Sequence, residues 1–299
     1  MTKPNPEMMD ALIEGYLSYL DKVGRKTPRT IIDVRCTLRR VIAGLGSELP
    51  LWRLELNDYL RWLEAERQHG STETTLAKYL SHVRGLLEYA WRSGRAERNV
   101  LDGFSLQHTI RRTPPKSLTL EQAERLVEAT AIPGPAARRD RLVILVLYGC
   151  GLRTDELCAL DVANVNRERH ELLVLKAKGD RPRALPIPEA VYTELLAYLL
   201  DHGKRGPLFR TSVRRSRLRV NDICEIVRTA ARRAGLPDYV TPRTLRHSFA
   251  THLMDRGVDL AVIASLMGHR SPQETGVYLH VLPGRPQAAV SKLSVGGRS

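Results

Sequence analysis

Between residues 102 and 117, DGFSLQHTIRRTPPKS, the helical periodicity of the preceding chain stops. Gly103 and the Pro114-Pro115 pair interrupt any regular element, and a residue before proline is pushed toward extended backbone. At 299 residues the chain has enough length on each side of this break for a core of its own. Two domains are therefore expected, 1–102 and 117–299, joined by a linker at 103–116.

The N-terminal domain reads as helical throughout. Met9, Leu12, Ile13, Tyr16, Leu17 and Leu20 recur at helical spacing over Pro6 to Lys22. Thr30 to Ile42 repeats the pattern, with Ile31, Val34, Leu38 and Val41 inside and Arg35, Arg39 and Arg40 largely outside. Asn57 or Asp58 can cap a third segment ending near Gly70, and Ser71 opens a fourth that runs to Trp91. A small helical bundle of this kind is a common DNA-binding module and equally a common bundle of no particular function, and composition does not separate the two.

The charge of the whole chain is more informative. Lysine and arginine number 47 against 33 acidic residues, a formal net charge of +14, which calls for a polyanionic partner. An anionic membrane is the competitor, but the chain has no apolar run of transmembrane length, no lipidation motif and no signal peptide. Nucleic acid as partner and a cytoplasmic location are the expectation. Cys36, Cys150, Cys158 and Cys224 form no C-x-x-C pair and no histidine lies at zinc-ligand spacing from them, so neither disulfides nor a metal are expected.

Beyond the break, Thr119 caps a helix to about Thr130, and RRDRLVILVLYGC at 138–150 is apolar enough to be the centre of the second core. His170 to Ala177 alternates as a strand, Gly179-Asp180 offers a turn, and Arg183 to Ile187 returns, which sets Lys178 at a hairpin tip. The segment 204–219, KRGPLFRTSVRRSRLR, carries seven cationic residues and no acid. Pro242 permits a helix start, with Leu245, Phe249, Ala250, Leu253 and Met254 on its buried face and Arg246 displaced from it. Asp259 and Gly268 bracket the next helix, His269 follows its end, and Ser271, Pro272 and Glu274 start a short helix carrying Tyr278.

Taken one at a time, Arg246, His269 and Tyr278 read as a paired, a capping and a core residue. Together with GLRTDEL at 151–157, AKGDRPRALPI at 177–187 and LRHSFATHL at 245–253, their order and spacing resemble the catalytic domain of the tyrosine recombinases, the phage integrase and Xer-like family. The resemblance covers roughly 117–282 with specific motifs and the N-terminal third only loosely. It implies an α+β fold, mainly α with a small antiparallel sheet in the catalytic domain, behind an N-terminal helical bundle that also binds DNA.

It further implies site-specific DNA strand exchange through a 3′-phosphotyrosine without any cofactor. Tyr278 would be the nucleophile. Arg153 and Arg246 would clamp the phosphate, His269 would hydrogen-bond it, and Lys178 would protonate the leaving oxygen. The slot three residues before Arg246 holds histidine in most of the family, whereas here it is Arg243, which cannot accept a proton near neutrality. Its neighbour His247 lies one position past Arg246 and is expected to point about 100° away from it.

Arg35, Arg39, Arg40, Arg111, Arg112, Lys116, Arg214, Arg215, Arg217 and Arg219 are the candidate DNA contacts. The family also implies a tetramer on two synapsed sites, with the need for a second recombinase left open. A topoisomerase IB-like or hairpin-forming resolvase, and a non-catalytic DNA-binding regulator of the same fold, are the alternatives.

Overall fold

The computed structural model describes residues 6–46, 50–106, 116–131, 134, 136–175, 182–202 and 205–268. The chain divides into two compact units, 1–111 and 112–299, with the division inside the stretch expected to be the linker.

The first unit packs α1 (Pro6–Lys22), α2 (Pro28–Leu45), α3 (Leu56–Gln68) and α4 (Glu73–Arg92) around Leu12, Leu38, Tyr59, Leu63, Leu76, Val83 and Leu87, all essentially without solvent exposure. Three helix starts differ from the sequence expectation: α4 begins at Glu73, where Thr72 and not Ser71 accepts the Thr75 N–H. α2 begins at Pro28 because Thr27 caps it through Thr30 N–H and proline needs no donor in the first turn. α3 begins at Leu56, and Asp58 accepts from the Glu55 N–H instead of serving as the cap. Arg84 donates to the carbonyls of Leu101 and Phe104, so the chain as far as 104 is fastened to this bundle.

In the second unit, α6 (Ala137–Gly149) runs through the middle, with Leu142, Val143, Ile144, Val146 and Leu147 fully buried. Around it stand α5 (Leu120–Glu128), α7 (Thr154–Ala159), α8 (Glu189–His202), α9 (Val220–Arg233), α10 (Pro242–Asp255) and α11 (Leu260–Met267). A three-stranded antiparallel sheet, ordered β1 (Val165–Asn166), β2 (Glu171–Val174), β3 (Arg183–Pro186), lies beside them. β1 escapes a reading of the sequence because two residues cannot show an alternating pattern. At the open end of the β2–β3 ladder Val174 pairs with Arg183. The tip at 176–181, with Lys178, lies outside the described residues.

α10 is tied to the start of this unit by buried polar groups. His252 Nε2 donates to the Leu118 carbonyl at 2.8 Å, and Ser248 Oγ accepts the Leu118 N–H at 2.8 Å. A carbonyl can only accept, so in the neutral imidazole Nδ1 is left to accept from the Tyr148 hydroxyl at 2.7 Å. Burial holds the Tyr148 phenol above its ordinary value, which keeps that donor protonated.

Among the described residues no helix is long and apolar enough to cross a membrane. Truncating the centre of the second core by Leu147→Ala should lower unfolding free energy by about 2–5 kcal/mol, measured by urea denaturation. A loss well under 1 kcal/mol would mean that α6 is not the element the unit is built on.

Candidate active site

The site is organised by a carboxylate. Glu156, in the first turn of the short helix α7, has a side chain only 1% exposed. Its two oxygens take the Arg183 guanidinium fork-on-fork at 2.9 and 2.9 Å, the Arg153 backbone N–H at 2.8 Å and Arg153 Nη1 at 3.1 Å, while Arg246 Nη1 stands 3.8 Å away. Burial pushes the Glu156 carboxyl up, but the Arg183 and Arg153 hydrogen bonds and the charges of Arg183 and Arg246 outweigh it, and the group is held below the ordinary carboxylate range.

Arg246 is not displaced from the interior as its helical position suggests. It is buried, and donates Nη1 to the Gly151 carbonyl at 2.8 Å and Nη2 to the Met267 carbonyl at 2.6 Å. Gly151 sits at φ +60, and a Cβ there would come within 2.4 Å of the Phe249 ring, so the first residue of the GLR motif has two reasons to be glycine. Its carbonyl is thereby turned toward Arg246.

The same arginines close the end of α11. Leu266, Met267 and Gly268 give one carbonyl each to Arg183 Nε (3.0 Å), Arg246 Nη2 (2.6 Å) and Arg153 Nη2 (3.2 Å). Cations at a helix C-terminus meet its partial negative charge, about half an electron. Against that half charge and one carboxylate, three guanidiniums leave a surplus of about one and a half positive charges, a site built to receive an anion.

Arg243 is exposed on the first turn of α10 and donates Nε to His247 Nε2 at 3.1 Å. Arginine only donates, so this His247 nitrogen accepts and the ring carries its proton on Nδ1. The two residues one turn apart thus form a pair. His269 and Tyr278 lie outside the described residues, as does Lys178, so of the expected constellation the structure brings together Arg153 and Arg246, with Arg243 on the same helix as Arg246.

The candidate DNA contacts divide. Arg217 donates to the Cys158 and Leu160 carbonyls and to Asp161, which makes it a brace between α7 and the basic segment. Arg35 and Arg40 are ion-paired to Glu14 and Glu66. Arg39, Arg214, Arg215 and Arg219 are exposed, and the tight turn closed by Thr211 and Ser216 carries Arg214 and Arg215 on its outside. Lys116 stands over the Tyr239 ring at 4.6 Å, and Arg111 and Arg112 lie outside the described residues.

Two site residues escape a reading by roles. Glu156 stands within the GLRTDEL motif, and Arg183 heads β3 on the same inward face as Leu185. A charged residue in the apolar register of a strand is the available signal, since burial of a charge demands a partner.

Residues 116–285 match the Phage integrase family, and residues 13–94 match Phage integrase, N-terminal SAM-like domain. Tyrosine recombinase XerA of Thermococcus kodakarensis is 33% identical over 284 residues, covering 94% of this chain and 93% of the relative. Tyrosine recombinase XerC of Mycobacterium sp. (strain JLS) is 33% identical over 294 residues, covering 94% and 97%. Among solved structures, the Tn1549 transposon integrase in complex with a circular intermediate DNA superposes with a TM-score of 0.77 at 19% identity, covering 95% of this chain and 99% of that one. A lambda integrase dimer bound to a COC′ core site gives 0.74 at 18% identity, covering 90% and 76%. At these identities the structures establish the fold.

Because the folded Glu156 carboxyl lies below its ordinary value, its stabilising contribution is complete above about pH 4.5 and is lost as pH falls through the lowered value. Glu156→Gln should therefore flatten part of the acid limb of stability, followed by urea midpoints between about pH 3 and 6. An unchanged acid limb would show that Glu156 is not a charged hub.

Proposed function

The chain belongs to the phage integrase family of tyrosine recombinases, and from that premise we propose that it cuts and rejoins double-stranded DNA at specific sites through a covalent 3′-phosphotyrosine. The observation that carries this reading is the pair of guanidiniums, Arg153 hydrogen-bonded to the buried Glu156 and Arg246 held beside it by the Gly151 and Met267 carbonyls.

In the proposed reaction the Tyr278 oxygen attacks the scissile phosphorus as its proton leaves. The bond to the 5′-oxygen breaks, a tyrosyl phosphate ester forms, and Lys178 delivers a proton to the departing oxygen. One ester replaces another, so no external energy is needed, and a 5′-hydroxyl from the partner strand reverses the step. Arg153 and Arg246 carry the non-bridging oxygens, where planar forks match the charge that grows in the transition state. His269 donates to the same phosphate or takes the base role, and Arg243 supplies a further charge-assisted donor.

The exposed Arg39, Arg214, Arg215 and Arg219, with Lys116, Arg111 and Arg112, are proposed to track the phosphate backbone. A reciprocal exchange between two synapsed sites needs four active subunits, filled by this chain alone or with a second recombinase, acting in the cytoplasm. Lambda integrase, whose fold this chain shares, has been solved as a tetramer bound to a Holliday junction.

Tyr278→Phe should abolish covalent adducts on a nicked suicide substrate and leave DNA affinity intact, since only the nucleophilic oxygen is removed. Arg153→Ala and Arg246→Ala should each slow cleavage by at least about a hundredfold with much smaller losses of binding. Adducts persisting in Tyr278→Phe would move the nucleophile elsewhere, and equal losses of binding and cleavage would reduce the arginines to ordinary phosphate contacts.

Arg243 generates a separate test. Arg243→Lys should keep part of the cleavage rate and Arg243→Ala should lose it, whereas Arg243→His, which adds a neutral imidazole, should hold or raise it at about pH 7–8. Wild-type cleavage by Arg243→Ala would remove this residue from the site.

A further inference from the structure

Glu156 needs a partner that is not also needed by the phosphate. A carboxylate buried to this degree is held ionised only by compensating charge and hydrogen bonds, and an unsatisfied one would draw on whichever guanidinium is nearest. Its hydrogen bonds are unequally distributed. Arg183 occupies both oxygens with good bidentate geometry at 2.9 Å, Arg153 gives one side-chain bond at 3.1 Å, and Arg246 stays at 3.8 Å. Fork-on-fork pairs are the strongest of these arrangements, so the carboxylate charge is met chiefly by Arg183.

Arg183 also has a fixed place in the fold. It is the first residue of β3, opposite Val174, and so stands where the chain returns from the hairpin turn that carries Lys178. Its Nε reaches the Leu266 carbonyl at the end of α11. A Cβ on Gly268, which sits at φ +62, would come within 2.8 Å of Arg183 Nη1, so the guanidinium fills the space that the glycine leaves open. One side chain, 11% exposed, therefore joins the hairpin, the hub carboxylate and the helix end that precedes His269.

We propose that Arg183 is a positioning residue for strand cleavage: it takes up the Glu156 carboxylate so that Arg153, which that carboxylate orients, and Arg246, which stands 3.8 Å from it, keep their charge for the scissile phosphate. The proposal rests on the recombinase reading above. Without Arg183, Glu156 would pair more closely with Arg153 and Arg246 or become protonated, and either change weakens transition-state binding more than ground-state binding.

The test is single-turnover adduct formation on a nicked suicide duplex, with duplex affinity measured in parallel, for wild type, Arg183→Met, Arg183→Lys, Glu156→Gln and the double variant. Arg183→Met is expected to slow adduct formation by about tenfold or more while affinity changes less than about threefold. Its pH profile should gain an acid limb as Glu156, left among the described residues with the charges of Arg153 and Arg246, takes up a proton at higher pH than before. Arg183→Lys should recover part of the rate, as a point charge without the fork. In the Glu156→Gln background, Arg183→Met should cost much less than it does in wild type, because the charge to be met is gone.

Equal costs in the two backgrounds, or a wild-type rate and profile in Arg183→Met, would overturn the proposal. If Arg183→Met fails to fold, Arg183→Lys and the double variant decide, since full activity in the first or no coupling in the second is equally fatal. A wild-type protein that forms no adduct would overturn the recombinase reading instead. The Arg183 assignment would then stand or fall on unfolding: an acid limb of stability unmoved by Arg183→Lys would show that Arg183 does not hold the Glu156 charge.

Discussion

A buried carboxylate among three guanidiniums is the interaction on which the second unit's chemistry depends. Glu156 alone would be costly to bury, and three clustered arginines alone would repel one another; each makes the other tolerable. The partners come from places far apart in sequence, the start of α7, the head of β3 and the first turns of α10, and all three also bind the last carbonyls of α11. The cationic site is thus a by-product of joining four elements, and its surplus charge is fixed before any anion arrives. Such preorganisation avoids the reorganisation that water would require as charge develops.

Much of the fold was legible because its elements are regular. α1 over Pro6–Lys22 and α11 between Asp259 and Gly268 follow from apolar spacing and from caps with a clear chemical reason. The misses are local. The Thr27-Pro28 start of α2 was hidden because the apolar pattern begins later than the cap, and β1 is too short to have a pattern at all. For the site, Arg153 and Arg246 were legible through their motifs, but Arg246 was expected to stand off the buried face, since helical spacing says which way a side chain leaves the axis and nothing about what it then meets. Glu156 and Arg183 depend on contacts between residues 27 positions apart, which no local pattern encodes.

Basic charge, so conspicuous in the composition, is not a single resource. Arg84, Arg183 and Arg217 are occupied in closing backbone carbonyls or meeting carboxylates, which is structural work, while Arg39, Arg214, Arg215 and Arg219 lie on the surface. Arginine suits the first task because its five donors can serve two or three acceptors at once. Net charge therefore identifies the kind of partner, whereas hydrogen-bond geometry decides which residues are available to it.

The fastening of Leu118 to α10 carries a mechanical meaning. The chain enters the second unit and is at once gripped, by Ser248 and His252, on the helix that also bears Arg243 and Arg246. Leu118 and Arg246 are thus held by one helix, with both anchors of the first within two turns of the second, so a displacement of either is felt by the same rigid element.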